Sequence, residues 1–308
     1  MEFFKFKKDI PFMSYGKLTT TISLVTFILA IFFLTTRGLN LSVEFTGGTL
    51  MEVSYSQPVN IPEVRTTLDK IGYPRAVVQN FGSNSIIIRL PNKQDVNSAD
   101  LSNQVFNAIS PLASTPQIKS VSFIGPEVGH DLVTNGLLAI LFVCLGILVY
   151  LAARFQWRFA VSAIIANMHD VVIILGFFAF FRWEFSLTVL AAILAVLGYS
   201  VNESVVVFDR IRENFRTMRS NDVPEIINNA ITTTMSRTII THGCTEMMVL
   251  SMLFFGGPSL HEFAIALTIG ILFGIYSSVL VASPLVMWLG VSKTNLVKIK
   301  KAKEEVVV

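Results

Sequence analysis

The sequence predicts a polytopic α-helical membrane protein, with six transmembrane helices and one α+β domain on the outer side. Three observations carry that prediction. First, 52% of the 308 residues are hydrophobic and only 15% are charged, at a mean hydropathy of +0.62. A soluble domain carries about 25% charged residues, so these few ionised groups could not cover a soluble surface, which excludes an ordinary cytosolic enzyme. Second, six apolar stretches reach the length of about 20 residues that crosses about 30 Å of hydrocarbon. Third, one polar island, residues 38–131, alternates strand-like and helix-like patterns. The net charge of +3 is too mild to indicate nucleic acid.

The elements follow in order. A basic N-terminus, MEFFKFKKDI, leads into the first span, Leu18–Thr36. No small-residue cleavage site follows it, only TTRGLNLSVEF, so it is expected to remain as an uncleaved anchor. The other spans are Leu132–Ala152, Phe159–Phe181, Ser186–Phe208, Met235–Phe255 and Phe263–Leu289. The two cysteines, Cys144 and Cys244, lie inside apolar runs and define no disulfide framework. Basic residues gather on one side of the spans: Lys5, Lys7, Lys8 and Lys17, then Arg154 and Arg158, the Arg210–Arg219 group, and a tail from Lys293 to Lys303. The short loops opposite, between the later spans, hold only Arg182. By the positive-inside rule both termini are cytoplasmic and the island faces outward. The expected division is a cytoplasmic N-terminus with the first helix (1–37), an outer domain (38–131), a five-helix bundle (132–290) and a basic cytoplasmic tail (291–308).

Within the island, GGTLMEVSY alternates as a half-buried strand, and IPEVRTTLDKIG reads as a short helix with proline near its start and Gly72 at its end. AVVQNF and SIIIRL are strands joined through Gly82-Ser83-Asn84. SADLSNQVFNAIS then reads as a helix and QIKSVSFI as a strand. This β-α-β-β-α-β order is the split βαβ arrangement of ferredoxin-like domains. With no catalytic cluster in it, the domain suits either binding and mechanical work or a plain spacer.

Ionisable residues within spans are costly, and they face the bundle interior or a water-filled cavity. Asp170, beside His169, lies near the middle of the third span, and Glu203, beside Asn202, lies in the fourth. Arg237 opens the fifth, with His242 and Glu246 deeper in it. At about 1.5 Å per residue, Glu203 lies about 9 Å inside the polar end that starts at Asp209. Arg237 enters at a comparable depth on the next, antiparallel helix, so the two are expected to pair. A pair that separates and re-forms would switch the carboxylate's affinity for a proton; a static bridge tying two helices is the other reading. His242 and Glu246, four residues apart, share a face and either satisfy each other or form a second proton stop. Gly270 and Gly274 have the spacing of close helix packing. HExxH, GxxxxGK and GxSxG motifs are absent, so no enzyme, metal or cofactor chemistry is indicated.

Taken together, VEFTGG, IGPEVG, NMHDVVI, GYSVNESVVVFDRIREN, SRT, FGG and FAIALTIGILFGIYSSVLVASPL, in this order and topology, resemble the SecF branch of the SecD/SecF family, a group of RND-type membrane proteins. The resemblance covers nearly the whole chain. It implies a bacterial inner-membrane protein that pairs with SecD and uses the proton-motive force to help draw a preprotein outward through SecYEG, with residues 38–131 periplasmic. It also implies that Glu203 and Arg237 serve proton movement; Asp170, by its mid-span position, is a further relay candidate. Asn202, His169, His242 and Glu246 are accessory candidates. Many family members carry aspartate where Glu203 stands, and His242 and Glu246 fall where small or apolar residues are expected. Two other readings remain beside this one: an RND-like exporter of small molecules or lipids, and a non-transporting translocase scaffold.

Overall fold

A computed structural model describes residues 8–74, 76–82, 84–91, 98–112 and 116–292. Lys5, Lys7, Ser83 of the hairpin turn and the basic tail from Lys293 onward lie outside the described residues.

The chain starts with α1 (Gly16–Thr36) and then a short strand β1 (Asn40–Leu41) and one-turn helix α2 (Val43–Thr46). The α/β domain follows: β2 (Gly48–Ser54), α3 (Ile61–Lys70), β3 (Val77–Asn80), β4 (Ser85–Leu90), α4 (Ser98–Ile109) and β5 (Gln117–Ile124). Its sheet is antiparallel in the order β3-β4-β2-β5, the ferredoxin-like arrangement that the sequence pattern predicts. One face of the sheet, with Met51, Val53, Ile86, Ile88 and Leu90, packs on Val64 and Leu68 of α3 and Val105 of α4. The other face carries Leu50, Glu52, Ile87 and Arg89 toward the bundle.

The long helices are α5 (Pro126–Arg154), α6 (Trp157–Phe181), α7 (Leu187–Thr217) and α8 (Val223–Phe255), with a strand β6 (Glu184–Phe185) before α7. After them, α9 (Pro258–Ser277) runs through a π segment (Ser278–Ala282) into α10 (Ser283–Trp288). Among the described residues, six helices are long and apolar enough to cross a membrane. In α6, α7 and α9, 50–56% of the most apolar stretch is buried, against 11–17% in α1, α5 and α8. The first three are therefore the centre of the bundle, and the others present apolar surface outward.

α7 and α8 run well past the expected spans, to Thr217 and from Val223. Hydropathy alone misses these ends because they are amphipathic. Their apolar stripe, including Ile211, Phe215, Ile226 and Ile227, is fully buried. The π segment has a local cause. Pro284 cannot donate to the carbonyl of Leu280, four residues back, and its ring crowds that group. The freed Leu280 oxygen instead accepts from Thr19 Oγ1 of α1 at 3.1 Å, while Tyr276 donates to the Thr19 carbonyl at 2.6 Å.

The outer domain joins the bundle through close backbone contacts. Gly47 has φ +71°, and a Cβ there would meet the backbone of Pro126, the first residue of α5, at 3.0 Å. A Cβ on Gly129 would meet the Phe45 carbonyl at 2.7 Å. The two glycine motifs thus lie against each other, α2 on the start of α5. β1 pairs with β6 in parallel, a contact too short for the sequence pattern to reveal.

Candidate functional site

Among the described residues, the buried ionisable side chains of the bundle fall in two groups. In the first, Asp170 of α6 is 1% exposed and accepts at Oδ2 from Ser200 of α7 at 2.8 Å and from Ser277 of α9 at 2.7 Å. Its Oδ1 lies 3.3 Å from His169 Nδ1, and His169 Nε2 lies 2.7 Å from Ser23 Oγ of α1. The carboxylate thus ties α6 to α7 and α9, and the His169 ring extends the network to α1. Asn167, one turn before Asp170, is 1% exposed, and neither end of its amide has a partner. Ser204 of α7 is equally buried with its hydroxyl unpartnered. Groups of this kind ordinarily hold internal water.

The second group centres on Glu203 of α7, which is 6% exposed. Thr238 of α8 donates to its Oε1 at 2.5 Å, and His242 Nε2 lies 3.3 Å from its Oε2. Tyr199 stacks edge-on against the His242 ring with centroids 4.8 Å apart, and its hydroxyl reaches Thr245 Oγ1 at 3.1 Å. His242 is 3% exposed and its Nδ1 has no partner. A cavity of about 30 Å³, room for one water, lies among Tyr199, Asn202, Glu203, Arg237, Thr241 and His242.

Two expected pairings are corrected here. Glu203 is not bridged to Arg237. No ion pair from Arg237 occurs among the described residues, and its side chain is exposed at the rim of the small cavity. The reason is helical phase. Thr238 and His242 are four residues apart on the face of α8 that packs on α7, and a step of one residue, about 100°, turns Arg237 off that face. His242 and Glu246 do not pair either, because the imidazole is taken by Glu203 and Tyr199. Glu246, one turn nearer the α/β domain, is partly exposed. Asn202 is exposed beside the same cavity. Gly270 and Gly274 of α9 face α7: a Cβ on Gly270 would come within 2.3 Å of Val196, whereas one on Gly274 would sit 3.6 Å from Ser200.

Nothing in the sequence pattern marks Thr238, Ser200, Ser277, Asn167 and Ser204 as site residues. Hydroxyls are ordinary in apolar helices, and only nearness marks them: Thr238 follows Arg237, Ser200 and Ser204 flank Glu203, and Asn167 stands three residues before Asp170. Among the described residues, no three His, Cys, Asp or Glu side chains converge as a metal site requires.

A charged junction lies on the outer side. Arg89 of β4 bridges Glu184 of β6, with their side chains 12% and 11% exposed. Glu44 of α2 accepts from the Leu187 amide at 2.6 Å. Burial pushes the Glu184 carboxyl above the usual range, with the Arg89 guanidinium opposing and Glu262 and Glu44 adding to the rise. Beside the bridge, a cavity of about 680 Å³ separates the sheet from the outer ends of the helices.

A family model described as protein export membrane protein SecD/SecF, C-terminal, matches residues 104–292, and the SecD/SecF GG motif matches residues 32–59. The protein translocase subunit SecF of Vibrio alginolyticus is 43% identical over 302 residues, covering 97% of this chain and 96% of that protein. That of Escherichia coli O157:H7 is 40% identical over 303 residues, covering 97% and 93%. The crystal structure of SecDF from Thermus thermophilus, a translocon-associated membrane protein, superposes with a TM-score of 0.83 at 35% identity. That match covers 92% of this chain, which spans 39% of the SecDF chain.

Proposed function

This chain belongs to the SecD/SecF family of protein-export membrane proteins, in its SecF branch, and we propose that it joins a SecD partner at the SecYEG translocon and uses the proton-motive force to help draw preprotein across the bacterial inner membrane. Both termini are cytoplasmic in this reading, and residues 38–131 face the periplasm. The observation that carries it is Glu203: a carboxylate inside the membrane, held by Thr238 and His242 next to a water-sized cavity with a guanidinium at its rim.

A proton arriving from the periplasm passes Glu246, reaches the His242–Glu203 pair and neutralises the carboxylate. The carboxyl then carries a hydrogen to donate where it had only lone pairs to accept with, so its bonds to Thr238 and His242 rearrange and α7 and α8 are free to shift. With the proton released inward, the carboxylate can turn to Arg237 before the imidazole pairing is restored. Asp170 and its serines form a second relay, with Asn167 and Ser204 positioned to hold water. One charge moving through 100 mV supplies about 2.3 kcal/mol, whereas inverting a 1:99 population takes about 5.5 kcal/mol. Several protons, a pH gradient, or sites on SecD must add to a single Glu203 event.

The test is proton flux and preprotein release in vesicles containing SecD. Glu203→Gln is expected to stop both while leaving assembly with SecD intact, and unchanged export would overturn the proposal. A non-transporting scaffold predicts no effect. A small-molecule exporter draws some support from the 680 Å³ cavity, but Glu44, Glu52, Glu184, Glu262 and Arg89 all line it. Small-molecule pockets are lined mainly by apolar and aromatic groups with few polar ones. This lining favours a junction that holds or moves the domain.

A further inference from the structure

On the outward surface where α1 meets α6 and α9, a crevice of about 200 Å³ runs among Thr26, Leu29, Phe33, Phe177, Phe180 and Phe273. Its floor is the tight contact of two small residues, for a Cβ on Gly176 would fall 2.4 Å from that of Ala30. Its lining is almost wholly apolar. Above it stand two guanidinium groups, Arg37 at the end of α1 and Arg182 at the end of α6. Arg37 lies over the rings of Phe33 and Phe180, at 5.9 and 5.6 Å, and donates to the Phe180 carbonyl at 2.8 Å. Arg182 donates to the carbonyls of Arg37 and Gly38, at 2.6 and 3.2 Å.

Three features of this corner need a common explanation. Both guanidinium groups are exposed, and neither forms an ion pair among the described residues; the carboxylate nearest in sequence, Glu184, is held by Arg89. Arg182 has φ +60°, a left-handed conformation that favours glycine or asparagine, yet the position carries a long cation fixed by two carbonyls. And the outer loops of the bundle otherwise avoid basic residues. Two fixed cations without a counter-charge, at the mouth of a greasy slot, complement an anion with a hydrocarbon tail.

We propose that this crevice binds an anionic phospholipid of the outer leaflet, its phosphate against Arg37 and Arg182 and one acyl chain along the slot. The dimensions agree. From Arg37 to Thr26 is eleven residues, about 16 Å along the helix, and one leaflet of hydrocarbon is about 15 Å deep. The slot thus ends near the midplane, where an acyl chain ends. The aromatic walls give a stiff channel, and the α1–α6 contact beneath it closes the far side.

The experiment uses the full-length chain in nanodiscs of phosphatidylglycerol or phosphatidylcholine, extracted gently and weighed intact to count retained lipids. Two basic groups at the membrane surface favour an anionic lipid by about thirtyfold. Preferential retention of phosphatidylglycerol of that order is expected, falling to parity in Arg37→Gln/Arg182→Gly, whose glycine keeps the left-handed turn. Thr26→Phe, which fills the slot, is expected to lower retention of both lipids. Equal retention of the two lipids by the unaltered chain would overturn the proposal. So would preference surviving in the double variant, or Thr26→Phe leaving retention unchanged. Glycerol 3-phosphate is expected not to compete at lipid-equivalent concentration; if it does, the tail contributes nothing and the lipid reading fails. Crosslinking of Thr26 to another polypeptide rather than to lipid would also overturn it.

Discussion

Replacing Arg89 with leucine tests what holds the outer domain on the bundle. Arg89 and Glu184 are nearly nine-tenths buried and bridge β4 to β6. Removing one member of such a pair leaves a buried charge unmatched and costs about 3–5 kcal/mol, whereas removing both is far milder. The same junction has a pH signature whose sign follows from proton binding. The Glu184 carboxyl is raised when docked, so the docked state binds more protons than the undocked one. Docking therefore weakens as pH rises from the ordinary carboxylate range through the raised value, and is strongest below it. In Arg89→Leu the guanidinium that opposed this rise is gone and Glu262 and Glu44 remain, so the window is expected to widen upward. The assay is hydrogen exchange at β4 and at residues 182–187 in nanodiscs across pH. Arg89→Leu is expected to speed exchange at neutral pH, with protection returning on acidification and in Arg89→Leu/Glu184→Gln. Equal exchange in the single and double variants, with no rescue by acid, would refute this reasoning.

Three further outcomes follow from the bundle. His242→Gln keeps a donor for Glu203 but cannot carry a proton, and should slow proton flux about tenfold, a barrier change of about 1.4 kcal/mol, while SecD assembly is retained; an unchanged flux would place the imidazole outside the path. Asp170→Leu leaves the Ser200 hydroxyl and His169 Nδ1 without their partner and Ser277 with only its bond to the Gly274 carbonyl, and a buried group left unpaired costs about 1–3 kcal/mol; thermal unfolding should drop sharply, and Asp170→Asn should recover part of it. Gly270→Ala forces a methyl group against Val196 and should cost about 1–3 kcal/mol, whereas Gly274→Ala should be close to neutral in the same melt.

Much of this architecture can be read from the chain because its signals are periodic. Alternation in β2 and β4, the turn at Gly82, and long apolar runs each encode one local state, and they agree with one another. Site pairings are less legible because they depend on angle around a helix rather than depth within it. Depth places Arg237 level with Glu203; phase places Thr238 and His242 there instead. An i to i+4 spacing shows that His242 and Glu246 share a face, but not that a carboxylate from α7 reaches the imidazole first. The ends of α7 and α8 escape a hydropathy reading for a related reason, since an amphipathic helix averages to neither oil nor water. The glycine motifs are visible in the sequence, but their mutual contact is long-range and belongs to the fold.

α7 connects the parts. It is a continuous helix of 31 residues, about 46 Å at 1.5 Å per residue. Its outer end donates through the Leu187 amide to Glu44, immediately after the Arg89–Glu184 bridge. Ser200 binds Asp170 and Glu203 binds His242, so both buried groups hold the same rod less than one turn apart. A close-packed helix cannot absorb a shift locally, because its neighbours are in contact along its length, and Gly270 is pressed against it from α9. Repacking at Glu203 must therefore displace either the Asp170 network or the outer junction. Asp170 on α6 is held from α7 and α9 and, through His169, from α1, whereas the junction is held by short segments with a cavity beside them, so the junction is the softer end. Motion that begins at the carboxylate in the membrane is directed toward the outer domain.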